Sequence, residues 1–282
     1  MIPDSILVTG GTGSFGRAFI TTLLQSNNCP SRLIVYSRGE HTQAAFREAC
    51  GDDDRVRWMI GDIRDGERLR RAMGDVELVV HAAALKRIET GAYNPDEMVK
   101  TNILGTMNVI DAAVEAGVGK VIYLSTDKAY QPISPYGQSK AIAESMMMAA
   151  HTLHGHATTK FAVTRYGNVW GAQGSVVPKW LDLIANGVKY LPLTHPDCTR
   201  FYMSIGEAVK MVTDLMVSMR GGELVIPDWL PAYRLGDLAK AFNRGTHTTG
   251  LPQWEKLHEN MDANLCSKDA RRMTIDELRE LI

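Results

Sequence analysis

An acid, two amines and a phenol stand close together near the middle of the chain. Asp127 and Lys128 directly follow an apolar run of strand length at residues 121–124, and Tyr136 and Lys140 come a short way downstream. These four side chains therefore lie at the carboxyl end of a predicted strand and at the opening of the next helix. Ligands of open α/β sheets bind at this edge, so the stretch predicts a catalytic site.

Tyr136 and Lys140 form a Tyr-x-x-x-Lys pattern, which places both side chains on one face of a helix. An ammonium group beside a phenol favours the phenolate and lowers the pKa of the phenol. Such a phenol can take the proton of a substrate hydroxyl while a nicotinamide takes the hydride from the same carbon. The pattern predicts alcohol oxidation; the alternative is an ordinary helix start.

Asp127 and Lys128 indicate a second reaction, because the oxidation of an alcohol needs no further acid and base. Once a sugar carbon is a ketone, the hydrogen on the neighbouring carbon becomes acidic. Lys128 can remove this hydrogen if its site lowers the pKa of the amine, and Asp127 can protonate a departing β-hydroxyl if burial keeps it protonated. The alternative is a structural ion pair at the end of the strand.

A strand–loop–helix unit that positions a dinucleotide opens the chain. A buried-strand pattern at residues 5–9 runs into a Gly-x-x-Gly-x-x-Gly loop and then into an apolar helix at residues 17–24. Glycine allows the tight turn and the close approach to a pyrophosphate, and the helix N-terminus offers free N–H groups. A plain turn is the alternative. The predicted cofactor-binding residues of the loop are Gly10, Thr12, Gly13, Ser14, Phe15 and Gly16.

The end of the second predicted strand, residues 32–36, indicates which dinucleotide binds. Proteins that prefer NAD usually carry an acid here for the ribose 2′-hydroxyl. This chain has Ser37 and Arg38 instead, and a guanidinium can pair with a 2′-phosphate and lie over the adenine. We therefore predict NADP. In the alternative, Arg38 is solvated and Glu40 binds the ribose.

Asp62 and Ile63 follow a third predicted strand at residues 56–60 and complete the adenine end of the site. The Asp62 carboxylate either accepts a hydrogen bond from the adenine amino group or caps a helix predicted over residues 64–73. The sequence does not decide between the two.

A fourth predicted strand, residues 77–80, is followed by His81 and then by Ala82 and Ala83. The two small residues allow the backbone to approach the cofactor. His81 is interpreted as a structural residue, because no second metal ligand lies at a useful spacing. Lys86 either helps to bind substrate phosphates or is simply solvated.

Alternation of strands and helices predicts an α/β fold, a Rossmann-type doubly wound parallel sheet with right-handed crossovers. A helix predicted over residues 95–115 contains Asn102, whose amide is either bonded to backbone near the active site or exposed. We predict an NADP-binding Rossmann domain with the catalytic residues over 1–166, and a smaller, mainly substrate-binding C-terminal region over 167–282. Some segments of this second region can return to the first domain.

Composition excludes several classes of protein. The 282 residues carry a formal net charge of −1 and no long basic run, which argues against a nucleic-acid partner. No apolar stretch approaches the roughly 20 residues of a membrane helix. The absence of a signal-peptide pattern and of paired cysteines predicts a cytoplasmic protein with free thiols. His151, His154 and His156 have no acid or cysteine beside them, so we predict no metal site.

Nearly the whole chain resembles the NADP-dependent UDP-N-acetylglucosamine 4,6-dehydratases of the extended short-chain dehydrogenase/reductase superfamily. The matching segments are residues 9–16, 35–38, 81–86, 100–105, 125–129, 165–169, 174–178, 199–201 and 255–259. The C5-inverting branch of that family carries tyrosine where the retaining branch tends to have methionine, so Tyr136 resembles the inverting branch. The resemblance also implies a homo-oligomer. The chain departs from the family pattern at Gln173 and at residues 252–254.

The resemblance implies a role for each central residue. Tyr136 assists oxidation at C4, Thr126 contacts the C4 oxygen, and Asp127 and Lys128 handle the C6 hydroxyl and the C5 proton. Hydride then returns to C6, which regenerates the cofactor and yields a 4-keto-6-deoxy nucleotide sugar. Arg200 is expected to grip the diphosphate, with a surface salt bridge as the alternative, and Glu259 to hold the uridine ribose. The predicted substrate-binding residues are Lys86, Asn168, Ser175, Val176, Arg200 and Glu259.

Two other functions remain open from the sequence. A nucleotide-sugar 4-epimerase uses Tyr136 and Lys140 but has no need of Asp127 and Lys128. A non-catalytic NADP-binding regulatory protein needs none of the four, although all are present.

Overall fold

The computed structural model of the chain describes residues 2–153 and 158–282. The strands, in chain order, are β1 (Ser5–Thr9), β2 (Arg32–Ser37), β3 (Val56–Ile60), β4 (Leu78–His81), β5 (Lys120–Thr126), β6 (Lys160–Tyr166), β7 (Asn168–Val169), β8 (Tyr190–Leu193), β9 (Thr199–Met203), β10 (Glu223–Val225), β11 (Ala232–Arg234) and β12 (Gly245–Thr248). The helices are α1 (Ser14–Leu24), α2 (Glu40–Ala49), α3 (Gly66–Ala72), α4 (Ile88–Tyr93), α5 (Pro95–Met98), α6 (Gly105–Glu115), α7 (Pro135–Leu153), α8 (Val176–Ala185), α9 (Ile205–Ser218), α10 (Leu235–Ala241) and α11 (Ile275–Glu280).

The main sheet consists of parallel strands in the order β10-β6-β5-β4-β1-β2-β3. Its strands read as continuous apolar runs because helices cover both faces. Ile6 and Val8 belong to the core on one face, and Leu7 between them belongs to the core on the other. This order, with its switch between β1 and β4, confirms the predicted doubly wound Rossmann-type fold.

Beyond residue 166 the chain forms smaller units. Strands β11, β9 and β7 make one small sheet, and β12 pairs with β8 in another. A separate core lies here, around Trp180 and Leu238. Residues 223–225, however, pair with β6 as the edge strand of the main sheet, and α9 packs against α1. Among the helices that the structure describes, none has the length and apolar character needed to cross a membrane.

The loop between β1 and α1 depends on close backbone contacts. Gly10 has φ of +67°, and a Cβ there would lie 2.9 Å from the Ala83 Cα. A Cβ on Gly16, inside α1, would lie 2.6 Å from the Gly11 Cα. The glycines therefore let the helix N-terminus approach both the end of β1 and the segment after β4, where the predicted fold places the dinucleotide.

We expect Gly16→Ala to destabilise the protein by about 1–3 kcal/mol, because the added methyl group meets backbone that cannot move aside. Helix propensity alone predicts that alanine stabilises a helix relative to glycine, so the change in unfolding free energy expected here has the opposite sign. Denaturant unfolding measures the change. Gly66→Ala is the matched control, since its Cβ would meet Asn108 at an ordinary 3.7 Å. Equal stability of the two variants would contradict the close-packing argument.

The helix predicted over residues 95–115 is continuous but changes type. A π-helical segment, Val99–Leu104, joins α5 to α6, and such segments often lie at functional sites. It carries Asn102, whose Oδ1 accepts a bond from Leu85 N at 2.8 Å. Its Nδ2 donates to Leu85 O and to Ser139 Oγ, each at 2.9 Å. Asn102 therefore ties the segment after β4 to α7, which confirms the backbone-bonded alternative.

Candidate active site

The predicted catalytic residues meet at the carboxyl end of β5. Thr126 ends the strand, and its hydroxyl caps the 3-10 turn Asp127–Ala129 by accepting a bond from Lys128 N at 3.4 Å. Helix α7 begins shortly afterwards and buries both Tyr136 and Lys140. The sequence spacing therefore brings these side chains to one edge of the main sheet.

Lys140 is turned toward the sheet rather than toward solvent. Its Nζ donates to Leu124 O at 2.6 Å and lies 4.0 Å from the centroid of the Tyr123 ring. Burial lowers the pKa of this amine to about 7, although the Glu144 carboxylate opposes the change. Lys140 therefore lies close to the balance between its charged and neutral forms at neutral pH.

The phenol of Tyr136 does not follow the prediction made from its spacing to Lys140. Burial raises the pKa of Tyr136 to about 12, while the Lys128 ammonium and a hydrogen bond with Thr126 act in the opposite direction. The expectation that Lys140 brings this pKa below its usual value is therefore wrong for this arrangement. The largest electrostatic support for the phenolate comes from Lys128, a residue of the second proposed reaction.

Lys128 lies among oxygen atoms. Its Nζ is 3.0 Å from Asp127 Oδ1, 3.1 Å from Asn168 Oδ1 and 3.4 Å from Glu259 Oε1. Burial disfavours the ammonium, but the carboxylates of Asp127 and Glu259 outweigh burial and raise the pKa of Lys128. The condition that the sequence set for a base at Lys128, a lowered pKa, is therefore not met in this structure, because two carboxylates lie beside the amine.

Asp127 is fully buried, and with Lys128 it forms the ion pair at the end of β5 that the sequence offered as the alternative. Its Oδ1 accepts from both Thr126 Oγ1, at 2.9 Å, and Lys128 Nζ. Its Oδ2 is buried and has no hydrogen-bond partner among the described residues. One carboxylate oxygen is thus occupied by the protein, and the other remains available for a proton or a ligand.

The predicted substrate residues separate into groups. Asn168 and Glu259 contact Lys128 directly, as described above. Arg200 is 4% exposed, donates to Thr199 O at 2.7 Å and pairs with Glu255 Oε1 at 2.5 Å. The alternative of a surface salt bridge is therefore wrong, because this guanidinium is buried.

Ser175 and Val176 lie at the start of α8, with Ser175 as the N-cap residue. The Ser175 hydroxyl is buried, and among the described residues it has no hydrogen-bond partner. Lys86 is exposed near the end of the partly buried segment between β4 and α4. The structure therefore gives these three residues no direct contact with Lys128.

At the adenine end, Ser37 is buried and its hydroxyl accepts from Gln43 Nε2 at 3.0 Å. Arg38 is more than half exposed and lies 3.9 Å from Asp62 Oδ2. Asp62 pairs with Arg64 at 2.7 Å and does not cap the following helix. That cap is Asp65, which accepts from the backbone of residue 68, and α3 begins at Gly66.

The remaining predicted cofactor-binding residues lie at the β1–α1 turn and in the segments beside it. Ala82 and Ala83 lie against Gly10. The Ile63 side chain is buried against α6, and its backbone carbonyl accepts from Asn108 Nδ2 at 3.0 Å. Thr12 O accepts from Arg17 Nε at 2.9 Å, and the Phe15 ring stacks on Phe19.

Sequence reasoning missed a contact between the two halves of the chain. The backbone N–H of Gln173 donates to Ser14 Oγ at 3.0 Å. The cofactor loop thus touches the segment that leads into α8. No pattern in the sequence marks this contact, because the donor is a backbone group.

His81 has the structural role that the sequence indicated. Its Nδ1 lies 2.7 Å from Thr9 Oγ1 and its Nε2 lies 3.0 Å from Thr106 Oγ1. Burial, with a smaller contribution from Lys140, lowers the pKa of His81 to about 3. His154 and His156 lie outside the described residues. Within residues 2–153 and 158–282, no group of three or more His, Cys, Asp or Glu side chains is arranged to hold a metal ion.

A doubly wound sheet with a glycine loop after β1 and a buried Tyr-x-x-x-Lys pair after β5 defines an extended short-chain dehydrogenase/reductase. The chain belongs to the family described as polysaccharide biosynthesis protein, whose model matches residues 6–276.

Among its relatives, the UDP-N-acetylglucosamine 4,6-dehydratase (inverting) of Campylobacter jejuni is 46% identical over 263 residues, which cover 91% of this chain and 77% of that protein. The UDP-glucose 4-epimerase of Rickettsia prowazekii is 39% identical over 242 residues, 85% of this chain and 70% of the epimerase. The X-ray structure of Pen from Bacillus thuringiensis matches with a TM-score of 0.93 at 31% identity and covers 99% of this chain and 97% of Pen. These matches confirm the resemblance found in the sequence.

Proposed function

We propose that the chain is a nucleotide-sugar 4,6-dehydratase that acts on UDP-N-acetylglucosamine, inverts C5 and uses a nicotinamide dinucleotide. The observation that carries this proposal is the buried Asp127–Lys128 pair, at 3.0 Å, beside Tyr136. An enzyme that only oxidises an alcohol needs no such pair. The 46% identity to the inverting dehydratase of Campylobacter jejuni supports the same conclusion.

In the proposed first step, the phenolate form of Tyr136, which the Lys128 ammonium favours, takes the proton of the C4 hydroxyl, and the Thr126 hydroxyl orients the C4 oxygen. A nicotinamide dinucleotide held by the loop at residues 10–16 would supply the hydride chemistry, taking hydride from C4 and giving it back at C6, and a solvent-derived proton added to the opposite face of C5 would complete the reduction with inversion. Because the phenol is buried, its proton transfer is shielded from bulk water. This step makes the C5 hydrogen acidic and prepares the second reaction.

The second step requires a neutral amine and a protonated acid. In the resting site Lys128 is held as an ammonium, so one proton must pass from its Nζ to Asp127 along their 3.0 Å contact. The neutral amine then takes the C5 proton, and the C–H electrons form the enolate of the C4 ketone. As the C6–O bond breaks, Asp127 gives its proton to the leaving hydroxyl, which departs as water. The ion pair is thereby restored.

We propose that residues 1–166 carry the cofactor and the catalytic groups, while residues 167–282 mainly shape the sugar site and β10 returns to the main sheet. Arg200 and Ser175 are the proposed diphosphate and sugar contacts. A homo-oligomer is proposed as well. Met107 of α6 and Ile142 of α7 are each more than 40% exposed, which suits contact with a second copy.

A 4-epimerase is the second candidate, because the Rickettsia prowazekii relative carries that name. The two candidates predict different products from UDP-N-acetylglucosamine and purified protein with cofactor. A dehydratase yields a product that has lost one water, with solvent deuterium at C5 when the reaction is run in heavy water. An epimerase yields a product of unchanged mass whose NMR spectrum shows the C4 epimer. Mass spectrometry with NMR separates them, and an unaltered substrate rejects both.

NADP is proposed as the cofactor because Arg38, exposed at the end of β2, can pair with a 2′-phosphate. We expect Arg38→Ala to weaken NADP binding by about 10- to 100-fold, the usual loss for a hydrogen bond to a charged group. NAD binding should change little, since NAD lacks the phosphate. Calorimetric titration with both cofactors measures the effect. Glu40→Gln is the matched variant: a selective loss of NAD binding there, with Arg38→Ala silent, would favour the ribose-acid alternative.

A further inference from the structure

We infer that Glu259 is a positioning residue of the dehydration step, which holds Lys128 in place and stabilises the ammonium formed when Lys128 takes the C5 proton. This role differs from the ribose contact expected from the sequence. The catalytic part of the inference rests on the proposed dehydratase function. The effect of Glu259 on the pKa of Lys128 does not depend on that function.

The contact between the two residues is direct and buried. Glu259 Oε1 lies 3.4 Å from Lys128 Nζ, and the Glu259 side chain is 2% exposed. Its other oxygen, Oε2, faces Lys256 Nζ at 3.6 Å and has no hydrogen-bond partner among the described residues. Both carboxylate oxygens thus face ammonium groups of the protein.

The backbone around Glu259 is built to hold this position. Glu259 N donates to Ser267 Oγ at 2.8 Å, and Ser267 N donates to Glu259 O at 2.8 Å. The Ser267 hydroxyl also contacts Thr199 Oγ1 of β9 at 2.7 Å. On the other side, Lys256 Nζ donates to Tyr130 O at 2.6 Å, just past the turn that carries Lys128. The segment 255–259 is therefore fastened to β9 and to the catalytic turn.

Other charged groups around Lys128 and Glu259 influence the pKa of Lys128. Asp127 and Glu259 favour the Lys128 ammonium, whereas Arg200 disfavours it. The titratable or charged groups that face Lys128 or Glu259 are Asp127, Tyr136, Arg200, Tyr233 and Lys256, and Glu255 pairs with Arg200 beside them. Asp127 must carry a proton for the leaving hydroxyl during the reaction. Glu259 is then the carboxylate that stays charged beside Lys128 and makes this amine a stronger base.

The test is Glu259→Gln, which removes the charge and keeps the shape. We expect the pKa of Lys128, followed by NMR of isotope-labelled lysine, to fall by about 1–3 units, the usual effect of losing an opposite charge at this distance. The limb of the kcat–pH profile that reports Lys128 should move to lower pH by the same amount. At neutral pH kcat should fall about 10-fold or more, while the KM for UDP-N-acetylglucosamine changes little. Glu259→Asp should restore most of the pH profile.

A surface variant, the conservative aspartate variant and the wild-type protein distinguish the possible outcomes. Glu67→Gln, on the exposed face of α3, should leave the pH profile and kcat unchanged. If Glu259→Gln raises the KM but leaves the pH profile of kcat unchanged, the inference is overturned and Glu259 contacts the substrate instead. An unchanged pKa of Lys128 in this variant would also overturn the inference. If the glutamine variant does not fold, the aspartate variant decides, since loss of the pH limb despite its retained charge would contradict the inference. A wild-type protein that fails to dehydrate the sugar rejects the proposed function, whereas the NMR titration still tests the Lys128–Glu259 contact.

Discussion

Lys128→Met abolishes the loss of water from UDP-N-acetylglucosamine but still permits oxidation at C4. The variant lacks the base for the C5 proton, and we expect dehydration to slow by about 10²- to 10⁴-fold, the usual contribution of a general base. Oxidation keeps Tyr136 and the cofactor but loses the ammonium that favours the phenolate, so reduced nicotinamide should accumulate in a single turnover, although more slowly than in the wild type. Absorbance of the reduced cofactor measures the first step, and mass spectrometry of the sugar measures the second.

Removal of the buried ammonium also leaves Asp127 and Glu259 without their shared partner, which costs about 3–5 kcal/mol in comparable cases. The rates are therefore compared per molecule of folded protein with bound cofactor. Lys210→Met, an exposed lysine of α9, is the surface control and should behave as the wild type. Dehydration at the wild-type rate in Lys128→Met would contradict the assignment of the base.

Tyr136→Phe blocks both reactions rather than one. The variant loses the hydroxyl that takes the C4 proton, and we expect oxidation to slow by about 10²- to 10⁴-fold. The C5 hydrogen becomes acidic only after oxidation, so no deuterium should enter C5 in heavy water and no reduced cofactor should appear. The phenylalanine fills almost the same volume, so the fold should persist.

The contrast with Lys128→Met makes this prediction specific. Tyr93→Phe, at an exposed site, removes a hydroxyl without touching the site and serves as the control. Exchange of the C5 hydrogen in Tyr136→Phe, without oxidation, would mean that the two reactions are not coupled in the proposed order. Normal oxidation by this variant would remove Tyr136 from the mechanism.

The sequence predicted the main sheet well because its strands are short apolar runs with a clear physical signature. The strands predicted at residues 5–9, 56–60 and 160–166 appear with those bounds, and the catalytic groups lie at the edge where parallel strands end. The spacing of the glycines between a strand and a helix also identified the loop between β1 and α1. In each case the signal lies within a few neighbouring residues.

What the sequence could not predict depends on contacts between distant segments. The three-residue strand β10 has too little pattern to be recognised, yet it pairs with β6. Asp65 rather than Asp62 caps α3, a choice set by the exact path of the chain after β3. The pKa of Lys128 is raised by the neighbouring Asp127 and also by Glu259, which lies far along the chain and whose approach no local pattern predicts.

The most direct test of the central claim follows the hydrogen on C4. Purified protein with NADP is given UDP-N-acetylglucosamine that carries deuterium at C4, and NMR locates the deuterium in the product. The proposed dehydratase moves it to C6 of a 4-keto-6-deoxy sugar, because the same cofactor molecule takes hydride from C4 and returns it to C6. Deuterium that remains at C4 of a product of unchanged composition would contradict the account and assign the chain to 4-epimerisation.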